Sequence, residues 1–279
     1  MSQPSITVEP ISGALGAEIS GVDISGPLDD RIVAELRQAL LDHLVIFIHD
    51  QTLAPAQQLA FAERFGTAEE YPFVKGLDDC PLVVPILKRE NETVNFGGLW
   101  HSDTTYLQAP PMATMLHAKE LPPFGGDTLF ANMVLAYETL SDGLKRVLDG
   151  LSAVNVAGKA AAMATRADRI REGGSVSDED THEAIHPVVR THPETGRKAL
   201  YVNGAHTVRF DGMTEAESAP LLGYLFAHQI KPEFTCRFRW RVGSLAFWDN
   251  RAAQHNPIND YHGHRRLLHR IILAGDRPT

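Results

Sequence analysis

His101 and Asp103 stand two positions apart in the segment Leu99–Tyr106, whose sequence is LWHSDTTY. In an extended backbone, side chains two residues apart point to the same face, so this imidazole and this carboxylate could bind one metal ion. A third ligand must come from elsewhere, and His255 is the candidate because it follows the strongly apolar segment 244–248. Two histidines and one carboxylate form the facial triad that holds Fe(II) and leaves positions open for O₂ and a chelating cosubstrate.

The H-x-D pair alone is a weak signal in a chain that contains 13 histidines. Its surroundings strengthen it, because Gly97-Gly98 and Pro110-Pro111 flank the segment and indicate a loop or a strand end. Functional residues are often found on such loops.

Two arginines near the C-terminus predict a binding place for anions. Alternation along the predicted last strand places Arg266, Leu268, Arg270 and Ile272 on one face. Buried guanidinium groups need anionic partners, and the planar arginine fork binds carboxylate or sulfonate groups through two hydrogen bonds. A barrel interior that binds two small anions is one interpretation. An edge strand with salt-bridged arginines is the other.

Short extended segments dominate the second half of the chain and must position these residues. We predict strands at 112–118, 127–132, 186–191, 198–203, 234–240, 244–248 and 267–274. Hydrophobic periodicity predicts helices at 27–44, 54–65 and 134–148, and a capping box at Thr214–Glu217 predicts the start of a fourth. This pattern favours a mainly β fold with flanking helices (α+β) and a jelly-roll or barrel core.

No linker or internal repeat divides the chain, so we predict a single catalytic domain over residues 1–279. The segment 158–180 is rich in Ala, Arg and Gly and has few large apolar residues. It is interpreted either as a solvated loop or small helix, or as a mobile lid over the active site.

The formal net charge of -9 argues against a nucleic-acid partner, because binding to phosphates needs clustered Lys and Arg. Neither a signal peptide nor a run of about 18 apolar residues is visible, so we expect a soluble cytoplasmic protein with no membrane partner. Cys80 and Cys236 match no metal-binding spacing and suit a reducing compartment, with a single disulfide as the alternative. We also expect a homo-oligomer, either a dimer or a tetramer.

The segments WHSDTTY, GGDTLFANM, FWDNRAAQH and RRLLHRIILAGD together resemble the taurine dioxygenase (TauD/TfdA) family of Fe(II)/2-oxoglutarate-dependent dioxygenases. The resemblance extends over nearly the whole chain, from LGAEISGVDIS at 15–25 to GDRP at the C-terminus. It implies a double-stranded β-helix core with iron bound by His101, Asp103 and His255.

The same resemblance implies the roles of three further residues. The cosubstrate 2-oxoglutarate would chelate the iron, and its far carboxylate would pair with Arg266 and with the hydroxyl of Thr128. Arg270 matches the family arginine that binds the anionic group of the substrate. Thr128 has no signal of its own, since by pattern it is an ordinary strand threonine.

Three positions depart from the pattern of the taurine enzymes. Those enzymes carry a histidine at the position of Tyr71, an asparagine at that of Gly97 and a phenylalanine at that of His206. The iron and cosubstrate positions match while these pocket positions differ, so we predict that the chemistry is kept and the substrate is changed. Tyr71 and His206 are candidate substrate-binding residues, or else packed residues with satisfied polar tips.

The predicted function is hydroxylation of a small anionic organic substrate (a sulfonate, sulfate ester or carboxylate), coupled to decarboxylation of 2-oxoglutarate to succinate and CO₂. Two rival interpretations are a Zn-dependent hydrolase on the same barrel and a non-catalytic jelly roll that binds a small acid. Arg266 argues against the hydrolase, which has no use for a carboxylate-binding residue at that position.

Overall fold

The computed structural model describes residues 5–71, 74–165 and 182–279. The strands are β1 (Thr7–Pro10), β2 (Ala17–Ser20), β3 (Val45–Ile48), β4 (Ala68–Glu69), β5 (Val84–Lys88), β6 (Ala113–Glu120), β7 (Thr128–Asn132), β8 (Ser152–Val156), β9 (Glu183–Pro187), β10 (Val189–Thr191), β11 (Lys198–Leu200), β12 (Thr207–Phe210), β13 (Thr235–Phe238), β14 (Leu245–Asp249), β15 (Ala253–Pro257) and β16 (Arg266–Leu273). The helices are α1 (Asp30–His43), α2 (Pro55–Ala62), α3 (Met133–Glu138), α4 (Asp142–Leu148), α5 (Ala160–Ala164) and α6 (Glu215–Gln229), with a 3₁₀ turn at Pro232–Phe234.

The large sheet has the strand order β1-β2-β3-β14-β6-β16-β4, and β5 also pairs with β16. Only β2 and β3 run parallel, while the other neighbours in this sheet are antiparallel. A smaller antiparallel sheet has the order β13-β7-β15. The mainly β architecture predicted from the sequence is therefore confirmed.

Aromatic side chains from the two sheets meet in the core between them. The ring of Phe47 in β3 stacks on that of Phe238 in β13, with 3.9 Å between centroids. Trp248 in β14 lies 5.6 Å from Phe130 in β7. These large rings are buried, and such burial contributes on the order of 1.5–3 kcal/mol per residue. The packed rings hold the two sheets face to face.

Local sequence signals account for several elements. The apolar run VIFI forms β3, in which all four residues are buried. Helix α6 begins at the predicted capping box: the Glu217 amide donates to the Thr214 hydroxyl at 3.2 Å, and the Thr214 amide donates to the Glu217 carboxylate at 2.8 Å. Each bond satisfies a donor that a helix start would otherwise leave unpaired.

The single helix predicted over 134–148 is wrong, because the chain forms the two shorter helices α3 and α4. Ser141 accepts a hydrogen bond from the Leu144 amide at 3.3 Å and thereby starts a new helix. Thr139 donates to the carbonyl of Leu135 at 2.9 Å just after α3 ends. Short hydroxyl side chains compete with helical backbone bonding in this way.

The edge-strand interpretation of the C-terminal arginines is also wrong. Strand β16 pairs with β6 on one side and with β5 and β4 on the other. Arg266 and Arg270 are each only 5% exposed. Both arginines therefore lie inside the fold.

The structure also tests two further expectations, a possible disulfide and the lack of a membrane-spanning segment. Cys80 and Cys236 are buried and unbonded, so the alternative of a disulfide is not realised. In the ranges 5–71, 74–165 and 182–279, no helix combines the length and the apolar character that crossing a bilayer requires.

A buried ionic network lies at the end of β14. The Asp249 carboxylate accepts hydrogen bonds from the Arg251 guanidinium at 2.8 and 2.7 Å and from His192 at 2.9 Å. Arg251 also pairs with Glu194 at 2.8 Å. Burial alone would raise the pKa of Asp249, but the bonds from Arg251 and His192 outweigh it and lower the pKa well below its usual range. The carboxylate is thus ionised and fully paired.

Asp249→Asn should destabilise the protein by about 3 kcal/mol, since the change leaves the buried Arg251 without its main counter-ion. Because the pKa of Asp249 is depressed in the folded state, its stabilisation is present above pH ~4 and is lost as the pH falls below that value. The difference in thermal unfolding between wild type and variant should therefore shrink in acid.

Glu138→Gln is the matched control, because Glu138 forms an exposed ion pair with Arg197 and should contribute at most about 1 kcal/mol. Equal unfolding temperatures for Asp249→Asn and Glu138→Gln at pH 7 would contradict the prediction.

Candidate active site

A backbone bridge joins the two predicted metal-binding histidines. The amide of His101 donates to the carbonyl of His255 at 3.1 Å, and the amide of His255 donates to that of His101 at 2.9 Å. Their rings lie 4.2 Å apart between centroids. His255 belongs to β15, a strand that the sequence did not predict. Ser102, which follows His101 in the sequence, donates to the carbonyl of Ala253 in the same strand at 2.9 Å. The bridge fixes both side chains relative to the small sheet.

The side chains of His101, Asp103 and His255 offer ligand atoms that all lie within 4.8 Å of one another. The Nδ1 atom of His101 donates to the carbonyl of Leu99 at 2.6 Å, and in the neutral ring this leaves Nε2 as the unprotonated nitrogen that can bind a metal. This Nε2 lies 3.7 Å from Oδ1 of Asp103. Burial, and then the nearby His101, lower the pKa of His255 well below its ordinary value, so its imidazole is neutral. The cluster could hold a divalent metal ion.

Asp103 is buried and its two carboxylate oxygens have different partners. Oδ2 accepts a hydrogen bond from the Thr114 hydroxyl at 2.7 Å, while Oδ1 lies 2.9 Å from a terminal nitrogen of Arg270. Burial alone would raise the pKa of Asp103, but the positive charge of Arg270 above all, then the neighbouring imidazoles of His255 and His101 and the Thr114 bond, outweigh it and lower the pKa. The carboxylate is therefore ionised, with Oδ1 facing the histidines.

A chain of hydrogen bonds continues from Asp103 into the large sheet. The Thr114 hydroxyl accepts from the Asn250 amide nitrogen at 2.9 Å, and Asn250 Oδ1 accepts from the Trp248 indole at 2.9 Å. Thr114 and Trp248 face each other across β6 and β14. This series of hydrogen bonds orients Asp103. Because the Thr114 hydroxyl accepts a hydrogen bond from Asn250, it directs its own proton to the Asp103 carboxylate.

Arg266 and Thr128 lie at the opposite end of the site. The Trp240 indole donates to the Thr128 hydroxyl at 3.0 Å, so that hydroxyl keeps its proton available for another acceptor. The guanidinium carbon of Arg266 lies 5.6 Å from the ring of Trp240 and 5.9 Å from that of Tyr261. Its Nε and one terminal nitrogen have no hydrogen-bond partner among the described residues. Burial lowers the pKa of Arg266, yet an arginine stays protonated in proteins and requires an anion.

Two adjoining cavities meet at the His–Asp–His cluster. Residues that line both are Phe96, Gly97, His101, Asp103 and Arg270. The first cavity is completed by Tyr71, Leu99, Thr104, Tyr106, Ala162, Thr165, Ala205 and His206. The second is completed by Ile86, Leu116, Thr128, Trp248, His255, Pro257 and Arg266. The fold thus brings all eight predicted site residues to one region.

The three positions that depart from the taurine pattern all line the first cavity. The guanidinium carbon of Arg270 lies 4.6 Å from the ring centroid of Tyr71. The ring of His206 lies 6.1 Å from that of His101 and 4.9 Å from that of Tyr106. Gly97 has a φ of 69°, and a Cβ there would come within 3.1 Å of the His101 ring. A side chain at position 97 would therefore crowd a predicted metal ligand.

Some residues of the site carry no signal that the sequence analysis could use. Thr114 and Trp240 fit ordinary strand patterns, and only the folded structure shows that they hydrogen-bond to Asp103 and Thr128. The predicted lid at 158–180 lies mostly outside the described residues, which include only its first part. Ala162 in α5 and Thr165 line the first cavity.

A comparison with protein families decides what kind of protein carries this site. The family model described as "Taurine catabolism dioxygenase TauD, TfdA family" matches residues 7–272. The chain belongs to this family. The family predicted from the sequence motifs is thereby confirmed.

Relatives of known function resemble the chain over almost its full length. An alpha-ketoglutarate-dependent sulfate ester dioxygenase of Pseudomonas putida is 34% identical, with 98% of this chain and 91% of the relative covered. An alkylsulfatase of Acinetobacter baylyi is also 34% identical, with 96% and 85% covered. An alpha-ketoglutarate-dependent 2,4-dichlorophenoxyacetate dioxygenase of Cupriavidus pinatubonensis is 32% identical, with 98% and 99% covered.

Solved structures show the same fold. A taurine dioxygenase from Burkholderia xenovorans superimposes with a TM-score of 0.83 at 38% identity, and 99% of this chain and 91% of that chain are covered. AAD-2 in complex with Mn(II) and N-oxalylglycine gives a TM-score of 0.85 at 26% identity, with 99% and 100% covered. The jelly-roll core and the assignment as a dioxygenase that depends on 2-oxoglutarate (alpha-ketoglutarate) are confirmed. Neither rival interpretation finds support among these relatives.

Thr114→Val should weaken Mn(II) binding by about tenfold, because the variant keeps the shape of threonine but removes the hydrogen bond that orients Asp103. Thr114→Ser should restore most of the affinity, since serine supplies the same donor. Titration followed by the electron paramagnetic resonance of free Mn(II) measures both, with thermal unfolding to verify folding. Equal affinities for the valine and serine variants would contradict a role for the hydroxyl.

Proposed function

We propose that this protein uses Fe(II) and O₂ to hydroxylate a small organic anion, coupled to decarboxylation of 2-oxoglutarate to succinate and CO₂. The observation that carries the proposal is the position of the His–Asp–His cluster between two cavities that each contain a buried arginine. Both arginines belong to one strand, β16, and each is only 5% exposed. A metal cluster flanked by two anion receptors suits a reaction between two anionic molecules.

His101, Asp103 and His255 would hold the iron. The donor set fits, since it provides an ionised carboxylate and a neutral imidazole, and the His101 tautomer leaves Nε2 unprotonated. When bound, Fe(II) supplies the redox chemistry that activates O₂ and accompanies oxidative decarboxylation. The role of the protein is to orient the three ligands, through the backbone bridge and through the Thr114 bond to Asp103.

Arg266 and Thr128 would bind the far carboxylate of 2-oxoglutarate in the second cavity. The unpaired nitrogens of Arg266 can donate to that carboxylate, and Trp240 leaves the Thr128 hydroxyl free to donate as well. Anchoring the far end fixes the direction in which the keto acid enters the cluster. Trp248, Leu116 and Ile86 line the same cavity and limit the access of water.

The substrate would lie in the first cavity with its anionic group at Arg270. Tyr71 supports the guanidinium of Arg270 through a cation–π contact, and His206 adds a polar ring on the same cavity wall. Its described lining contains no acidic residue other than Asp103, so a substrate ammonium group would find no carboxylate to pair with. The cavity therefore favours an anion whose remainder is uncharged, which is the chemistry of the sulfate esters named for the Pseudomonas putida relative.

Three broader predictions accompany this proposal. We infer one catalytic domain over the whole chain, a homo-oligomer and a cytoplasmic location, as expected from the sequence. The homo-oligomer can be tested directly by light scattering coupled to size-exclusion chromatography.

Arg266→Ala should weaken 2-oxoglutarate binding by roughly 100-fold, because it removes the buried cation that would pair with the far carboxylate. The measurement is anaerobic titration of the Fe(II)-loaded protein with 2-oxoglutarate, followed by the visible metal-to-ligand charge-transfer band. Arg265→Ala is the matched control, since Arg265 is the adjacent arginine and pairs with Glu120 instead. Absence of the band in wild type would contradict the proposed function.

Succinate release over a panel of small anions tests the substrate class. We expect short alkyl sulfates, alkyl sulfonates or phenoxyacetates to be turned over faster than taurine, because taurine carries an ammonium group that the described cavity wall does not match. Preferred turnover of taurine would contradict this assignment, whereas it would leave the reaction type unchanged.

A further inference from the structure

A buried lysine lies beside the cosubstrate end of the site. Lys88 is the last residue of β5 and is only 4% exposed, and its ammonium nitrogen has no hydrogen-bond partner among the described residues. The nitrogen rests 4.0 Å from the centroid of the Tyr261 ring. Lysine is rarely buried unless it is paired, and one cation–π contact replaces only part of its lost hydration. The buried ammonium group of Lys88 therefore requires an anionic partner.

The strand register places Lys88 directly opposite Arg266. In the antiparallel pair of β5 and β16, Lys88 faces Arg266 and Ile86 faces Leu268, so the side chains of each pair point to the same side of the sheet. Both cations contact the ring of Tyr261, at 4.0 Å for Lys88 and 5.9 Å for Arg266. Burial, and then the charge of Arg266, lower the pKa of Lys88. Two buried cations thus repel each other across one ring.

Two carboxylates in the neighbourhood of this pair, those of Asp127 and Asp260, are already engaged. Asp127 pairs with Arg237 at 2.6 Å. Asp260 accepts from the Gly126 amide at 2.7 Å and lies 3.6 Å from Arg237. The hydroxyl of Tyr261 donates to the side chain of Asn95 at 2.8 Å and offers no negative charge. Among the described residues, no carboxylate forms an ion pair with Lys88 or Arg266, and Asp127 acts on Arg266 only at longer range, so a bound anion would supply the missing negative charge.

We propose that Lys88 is the second cation of the site that receives the far carboxylate of 2-oxoglutarate, acting beside Arg266. The inference rests on the proposed role of Arg266. A carboxylate at this place relieves the repulsion between the two cations and gains from the attraction of both, in surroundings where water screens them weakly. Lys88 thereby favours 2-oxo acids that carry a second carboxylate over those that end in a methyl group.

The test compares two ligands and three variants by isothermal titration of the Mn(II)-loaded protein, which needs no turnover. The ligands are 2-oxoglutarate and 2-oxopentanoate, a five-carbon 2-oxo acid with no far carboxylate. Lys88→Met should weaken 2-oxoglutarate binding by about tenfold, because losing one attraction between a buried cation and the far carboxylate changes the affinity by roughly that factor. Binding of 2-oxopentanoate, which has no far carboxylate, should be unchanged. Lys88→Arg should keep the affinity for 2-oxoglutarate within about threefold, because it keeps the charge.

Lys119→Met is the matched control, since Lys119 is a partly buried lysine on β6 whose ammonium donates to the carbonyl of Leu53. It should leave the binding of both ligands unchanged. Unaltered 2-oxoglutarate affinity in Lys88→Met, or an equal loss for both ligands, would overturn the role of Lys88 while the proposed function stands. A wild-type protein that does not bind 2-oxoglutarate at all would overturn the proposed function and this inference together.

Discussion

The reciprocal backbone hydrogen bonds between His101 and His255 are the constraint on which the active site depends. They tie an irregular segment to β15, and β15 is paired with β7, whose first residue is Thr128. One bridge therefore fixes two predicted metal ligands and, through one further strand pair, Thr128. Because the bonds use backbone groups only, both imidazoles remain available to bind. The packed aromatic rings between the two sheets keep this arrangement rigid.

Charge balance inside the fold is the second constraint. The protein as a whole is acidic, yet Asp103 is the only carboxylate among the described residues that line the two cavities, against the cations Arg266 and Arg270. The ion pair of Arg270 with Asp103 neutralises one end. The other end, where Arg266 lies close to Lys88, keeps an excess of positive charge. A buried excess of positive charge is unfavourable without an anionic partner, so the same feature favours the binding of an anion.

The shared wall between the two cavities would allow the proposed substrate to differ from taurine while the proposed chemistry is kept. His101, Asp103 and Arg270 line both cavities, whereas Tyr71 and His206 line only the first. Exchanges at these last two positions reshape the substrate cavity without touching the second cavity, where Arg266 and Thr128 lie. Gly97 is a special case, because the absence of a side chain there keeps the His101 ring uncrowded. A chain of this family can therefore keep the metal and second-cavity residues while its first cavity differs from that of the taurine enzymes.

The sequence by itself determined the family and the mainly β fold, and it picked out eight candidate site residues that the structure brings to one region, because these depend on motifs, alternation and residue type. It also set the start of α6, whose capping box is a local signal. It did not reveal β15, the break between α3 and α4, or the contacts of Thr114, Trp240 and Lys88. Those were decided by tertiary structure, since strand register and burial between distant segments have no local signature. Lys88 shows the reason most clearly: as a residue type it reads as a surface lysine, and only its pairing with β16 places it beside Arg266.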